Sequence, residues 1–364
     1  MWVRSLDKLR FEVQRRAAMR LLASPVACRF LAGSRTRPRD GRRISPDVAA
    51  MLRVAELSGM APVSSLTPHN ARRDLAHSVA LCAEPRARDI DSRTLSFAGP
   101  HSQLRVRMYG SRGLRPMAPA ILYLHGGGWV TGDVDVYDVF CGRLAAETRS
   151  LVFSLDYRLA PEHQFPAQPD DCLAAWRWLG SQADTFGFDP ARVAVAGDSA
   201  GGSLSALVVH ESARDGFRPA LQVLIYPSLD ATFAHPSHES MRDGFFLTRA
   251  SIDWYLRHYA GRDPDRRHPR LSPLLAPGPL PNVPALIYSA GFDPLRDEAN
   301  AYASRIRGEG TAVCYREFTD LVHGFALMAG IAPGAKRATD EMRRTTADVL
   351  HAPHIGRAIE QLRR

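Results

Sequence analysis

Cysteine is scarce and unpaired in this chain: Cys28, Cys82, Cys141, Cys172 and Cys314 are odd in number, far apart and free of any C-x-x-C spacing. Such usage argues against a zinc site and a disulfide framework, and it fits a reducing compartment. Long apolar runs are missing too, since nothing approaches the roughly 18 continuous apolar residues that span a bilayer. The N-terminus has the arginines of a secretory signal, but its apolar segment from Leu21 to Ala27 is short and interrupted by Pro25. Lipoprotein cleavage before Cys28 is therefore set aside, and the chain is read as unprocessed and cytoplasmic. No internal repeat is present.

A charge excess is also absent from most of the molecule. The net charge of +9 invites a nucleic-acid or anionic-membrane reading. Yet residues 1–43 hold 12 basic side chains against 3 acidic ones, which is the whole excess. The remainder carries 35 of each sign, so the net charge is no evidence for nucleic-acid binding by the body, and no nucleic-acid partner is expected. Within the extension, Leu6, Leu9, Val13, Ala17 and Leu21 recur at helical spacing among arginines, which predicts an amphipathic basic helix. Packing on its own body or a second subunit is the favoured role for that helix, and peripheral contact with a membrane surface is the alternative. The stretch Arg35–Arg43 reads as a flexible joint.

What remains is a large α/β pattern in 364 residues, 45% of them hydrophobic. A helix is expected over Pro46 to about Ser58, then a polar stretch near Thr67–Arg73. Strands follow at about 93–97, 104–109, 120–124, 151–155, 192–196, 221–226, 285–289 and 312–317. From the third onward they are almost continuously apolar, as strands covered on both faces should be. Helical patterns lie between them at about 137–148, 168–185, 200–213 and 298–307, with a last one from Arg337. Alternation of this kind predicts one mostly parallel eight-stranded sheet flanked by helices. The long gap between Pro227 and Pro284, with the amphipathic Ser251–Tyr259, suits an inserted lid. The division expected is a basic extension (1–43), an N-terminal cap segment (44–90), a catalytic core (91–230 and 271–364) and a cap insertion (231–270).

Gly197-Asp198-Ser199-Ala200-Gly201 follows an apolar strand and opens an apolar helix. A sharp strand-to-helix turn of this kind lifts a serine oxygen above the sheet, and only glycine flanks tolerate the crowding. The N–H of Ala200 then points into the same space. His125-Gly126-Gly127-Gly128-Trp129 stands where the third strand ends, and bare glycine N–H groups there can turn toward a developing oxyanion. A serine nucleophile needs a base, and the base a carboxylate. His210 falls in the elbow helix, His235, His238, His258 and His268 in the lid, and His351 and His354 at the C-terminal helix. His323 alone lies in a loop just past the eighth strand, at the edge where α/β ligands bind. Asp293, at the exit of the seventh strand, is the preferred carboxylate. Asp297 is assigned to the start of the next helix, and Asp320 is a weaker rival.

Taken together, the chain resembles the bacterial hormone-sensitive-lipase family of α/β-hydrolase esterases. The matching segments are His125–Trp129, Asp156-Tyr-Arg-Leu-Ala-Pro-Glu-His163 with Phe165-Pro166-Ala167, Gly197–Gly202, Asp293–Glu298 and His323-Gly-Phe325. The resemblance implies an α/β-hydrolase fold with a helical cap and a triad of Ser199, Asp293 and His323. It also implies an oxyanion hole of Gly126, Gly127 and Ala200 N–H groups, no metal or organic cofactor, and short- to medium-chain acyl monoesters as substrates. Glu162 and His163 belong to scaffold. Phe245, Phe246 and Trp254 are candidates for the pocket wall or the lid core. Ser203 replaces an asparagine common in the family, and residues 1–43 precede the family's usual start. An amidase or deacetylase would use the same triad, and a silent binding protein on this fold would lack the histidine that is present here. Homodimerisation is common in the family, and no residue in the sequence decides it.

Overall fold

The computed structural model describes residues 2–33, 38–212 and 216–362. The eight strands are β1 (Ile90–Ala98), β2 (Gln103–Ser111), β3 (Ala118–Leu124), β4 (Leu151–Asp156), β5 (Phe188–Asp198), β6 (Leu221–Ile225), β7 (Ala285–Phe292) and β8 (Val313–Val322). They form one sheet in the order β1-β2-β4-β3-β5-β6-β7-β8. Only the β1–β2 and β2–β4 pairings are antiparallel. From β4 through β3 to β8 every pairing is parallel.

The strands are buried from both sides because their side chains alternate between two apolar layers. Ile121 and Tyr123 of β3 join Phe140 and Met342 on one face, while Ala120, Leu122 and Leu124 join Leu173 and Trp176 on the other. The first layer is supplied by α5 (Asp138–Thr148) and α12 (Pro333–His351), the second by α6 (Ala167–Gly180) and α8 (Ala200–Ser212). The short α7 (Ala183–Phe186) separates α6 from β5, α11 (Arg296–Gly308) packs beside β7, and α13 (Ile355–Gln361) closes the described chain. The helix expected over 168–185 thus breaks at Ser181, and the residue 213 expected at the end of the elbow helix lies outside the described residues.

Four helices precede the sheet: α1 (Trp2–Ala23), α2 (Pro25–Ala32), α3 (Pro46–Leu57) and α4 (Pro68–Cys82). The polar stretch near Thr67–Arg73 is in fact the first turns of α4, capped by the Thr67 hydroxyl with Pro68 at the first helical position. Its polarity reflects an exposed helix face, and only Ala71 is fully buried. The basic helix packs on its own body: the Arg15 guanidinium donates to Ala83 O at 2.8 Å, and the Phe11 ring meets His77 edge-on at 5.8 Å. Leu22, Cys28 and Ala32 join the core layer that includes α3.

The flexible joint expected over Arg35–Arg43 is corrected for its described part, with Arg35–Arg37 outside the described residues. Arg39 and Arg42 bridge each other through their backbones, Arg42 pairs with Glu317, and Asp40 faces Arg296 at 3.4 Å. Charge pairing with β8 and α11 therefore holds this segment down. The insertion between β6 and β7 carries α9 (Ser237–Ser240) and α10 (Arg249–Ala260). Among the described residues no helix is long and apolar enough to cross a membrane.

Candidate active site

Ser199 stands between β5 and α8 with φ of 54°, a left-handed conformation that costs a non-glycine residue energy and that the surrounding turn enforces. The glycines beside it are required by contact. A Cβ on Gly201 would lie 1.9 Å from Leu124 O, and one on Gly197 would lie 2.3 Å from Gly201 O. The backbones of β3, β5 and α8 approach so closely only because these side chains are absent.

The structure brings together the three residues singled out from sequence. Ser199 Oγ lies 2.9 Å from His323 Nε2, and His323 Nδ1 lies 2.8 Å from Asp293 Oδ2. With the Nδ1 proton on the imidazole donated to Asp293, Nε2 is left to accept from the serine hydroxyl. Asp293 is fully buried, and its other oxygen accepts from the Leu295 N–H at 2.9 Å. Asp320 makes no such contact; its carbonyl accepts from Ser45 N. Asp297 sits in the first turn of α11, as expected, and accepts from Ser237 N and the Arg296 guanidinium. Glu298 ties the insertion to α11 by accepting from the Leu229 N–H at 2.6 Å and meeting His238 Nε2 at 2.9 Å.

Gly126 is a correction. Its N–H is directed into the protein, toward Asp198 Oδ1 at 2.9 Å and Tyr137 Oη at 3.1 Å. A group engaged there is not available to an oxyanion. Gly127 and Gly128, with φ of 112° and 59°, instead line the cavity in front of Ser199 together with Ala200. The residue that sets this loop register is Asp198, the fully buried neighbour of the serine. It accepts from Tyr123 Oη at 2.8 Å, Tyr137 Oη at 2.9 Å and the Gly126 N–H. Burial pushes its pKa up, and those three donors pull it back. His125 stacks on Tyr157 at 4.2 Å and contacts Gly126 O through Nδ1 at 2.8 Å, and burial lowers its pKa.

Over the serine lies a cavity of about 150 Å³ lined by Gly127, Gly128, Ser199, Ala200 and His323, with Leu75, Leu247 and Tyr255 across from them. A second chamber of about 450 Å³ shares Leu75, Leu247, Tyr255 and His323 and reaches outward past Met60, Phe245 and Phe246. Its walls come from α3 and α4 on one side and the insertion on the other. Phe245 and Phe246 thus face the chamber, whereas Trp254 turns into the lid against His258 at 4.4 Å. Tyr255, one residue on, takes the wall position. A Cβ on Gly128 would sit 2.3 Å from its ring, so lid and loop touch directly.

Arg72 of α4 clamps the cap to the body. It donates to Val130 O at 2.8 Å and Ala160 O at 2.9 Å and pairs with Glu162 at 2.6 Å. This bond, its largest cause, lowers the Glu162 pKa to about 2. Glu162 and the neighbouring His163 thus remain scaffold. Among the described residues no group of three or more potential ligands could hold a metal ion.

A family model described as the α/β-hydrolase fold matches residues 121–327, from β3 through the histidine loop. That match takes in more than half of the chain. The chain belongs to the hormone-sensitive-lipase-like family of α/β hydrolases. This member is 40% identical over 326 residues to Carboxylic ester hydrolase LipN of Mycobacterium tuberculosis, covering 87% of this chain and 86% of that protein. It is 38% identical over 300 residues to Ethyl acetate hydrolase of Pseudomonas putida, covering 79% and 93%. The crystal structure of an α/β-hydrolase enzyme from the metagenome of Lake Arreo superposes with a TM-score of 0.79 at 36% identity, covering 84% of this chain and 98% of that one.

Proposed function

We propose that this carboxylic ester hydrolase cleaves short-chain acyl monoesters through Ser199, His323 and Asp293. The observation that carries the reading is the unbroken hydrogen-bond chain from Ser199 Oγ through His323 to buried Asp293, opening on the inner cavity. As Ser199 Oγ attacks the ester carbonyl, its proton passes to His323 Nε2, and Asp293 stabilises the imidazolium. The tetrahedral oxygen takes hydrogen bonds from the Gly127, Gly128 and Ala200 N–H groups. His323 then gives the proton to the departing alkoxide, which leaves as the alcohol. Water, deprotonated by the same histidine, attacks the acyl-serine; the Ser199 Oγ–acyl bond breaks, His323 returns the proton to Oγ, and the acid is released.

The inner cavity supports a short acyl group, because a mostly apolar space of ~150 Å³ holds about one benzene ring. A relative named for ethyl acetate supports the same class. The partner in this reading is a small-molecule ester. Ser199→Ala is expected to lose about 10⁶ in kcat on p-nitrophenyl butyrate, the scale seen when a triad serine is removed. Retention of near-wild-type rates by a folded variant overturns the assignment. An ester series from acetate to laurate should peak at four to six carbons, about the size of that ring.

A further inference from the structure

Two faces of the N-terminal helices have opposite fates. On α2, Cys28 and Ala32 go into the core, while Val26, Arg29 and Phe30, at positions i, i+3 and i+4, point outward. Val26 is 79% exposed and Phe30 86% exposed, values at which a large apolar side chain gains nothing from the fold. On α1, Val13, Arg16, Ala17 and Arg20 share one exposed face at i, i+3, i+4 and i+7. Single exposed apolar residues are ordinary, but here they cluster. Among the described residues, seven of the ten exposed large hydrophobic side chains lie between Val13 and Met60. Val54 and Leu57 on α3, against which α2 packs, carry the same character toward Met60 at the chamber mouth.

We propose that the exposed face of α1 and α2 docks on an anionic phospholipid surface. Charge complementarity selects this occupant. Arg16, Arg20 and Arg29 are exposed and interleave with Val13, Ala17, Val26 and Phe30 on the docking face itself. Such a face buries valine and phenylalanine at the acyl boundary while guanidinium groups, which match phosphate oxygens in bidentate fashion, reach the headgroups. A second copy of this chain is a poorer occupant, because pairing two such faces would bring like charges together. Docking here would set the outer chamber beside the lipid, where an ester dissolved in the bilayer could reach it; that consequence rests on the esterase reading, while the docking itself does not.

The test is co-sedimentation of the full-length protein with vesicles of equal parts phosphatidylglycerol and phosphatidylcholine, against vesicles of phosphatidylcholine alone. Wild type should partition to the anionic vesicles, less so as salt is raised. Val26→Ser/Phe30→Ser is expected to weaken partition about tenfold, and Arg16→Glu/Arg20→Glu/Arg29→Glu about a hundredfold or more. Hydrolysis of dissolved p-nitrophenyl butyrate should stay at the wild-type rate in both variants, which reports folding and separates failure of docking from failure of the esterase reading. Equal binding of wild type to both vesicle types overturns the proposal, as does unchanged binding by the variants. A dimer in light scattering that Val26→Ser/Phe30→Ser dissolves, with no vesicle binding, assigns the face to a second copy and also overturns it.

Discussion

The sheet side of the substrate chamber and its cap side hold their residues by different means. On the sheet side, Ser199, Asp198, Asp293 and the glycine loop are tied by hydrogen bonds between buried groups and by backbones in direct contact. On the cap side, Leu75, Leu247, Phe245 and Tyr255 offer apolar surface, and Arg72 supplies the polar attachment beside them. Buried polar networks rigidify because an unmet partner is costly, whereas apolar contacts tolerate substitution if volume is kept. Chemistry should therefore be sensitive to small changes in the sheet wall, and substrate choice should be adjustable in the cap wall.

The largest expected effect breaks the sheet wall at Gly201. A methyl group there meets Leu124 O at 1.9 Å and His125 O at 2.6 Å, both main-chain atoms that cannot step aside. Gly201→Ala should yield either no folded protein or one that has lost more than ~10³ in kcat, the order of an oxyanion donor moved out of place. Gly308→Ala, where a Cβ meets nothing, is the matched control and should leave thermal stability and rate unchanged. Equal behaviour of the two variants would remove the claim that backbone contact governs this wall.

Asp198 comes next, as a positioning residue that touches no reacting atom. Asp198→Ala leaves the Tyr123, Tyr137 and Gly126 donors without their shared acceptor and frees the glycine loop to shift. A loss of ~10² in kcat with KM nearly unchanged is expected, because an oxyanion contact matters more in the transition state than in the ground state. Asp198→Asn keeps one acceptor oxygen and should recover most of the rate. A purely structural role would lower thermal stability in both variants while leaving kcat per folded molecule intact.

How much of each wall could be read from the sequence follows from the same contrast. The elbow and the meeting of Ser199, His323 and Asp293 were legible because chain crowding demands glycine at Gly197 and Gly201 and because the sheet order brings the exits of β5, β7 and β8 to one edge. The register of the glycine loop was not: Gly126, Gly127 and Gly128 are alike in sequence, and only the bond to Asp198 shows which N–H turns away from the cavity. A carboxylate fixed beside the nucleophile was the available hint. The cap was harder. α4 begins with polar residues because it rests on the body by one edge, and the phase of α10, which seats Tyr255 and not Trp254 in the wall, depends on what its far side packs against. Short helices on a convex surface carry too few buried positions for periodicity to report.

The mildest change probes the cap wall at Leu75, which stands half-buried on α4 where the inner and outer cavities meet. Leu75→Ala removes an isobutyl wall without touching a hydrogen bond, and alanine favours the helix. Butyrate hydrolysis should stay within about threefold of wild type, since the nucleophile, base and oxyanion donors are untouched. Longer acyl chains should gain instead. With the partition opened, two further methylenes can leave water, which at ~0.8 kcal/mol each is worth about tenfold in kcat/KM for octanoate. The optimum of the ester series should move outward by about two carbons, with kcat on butyrate nearly constant. A profile that falls uniformly at all lengths would mean that Leu75 holds α4 in place, and the two walls would then not be independent.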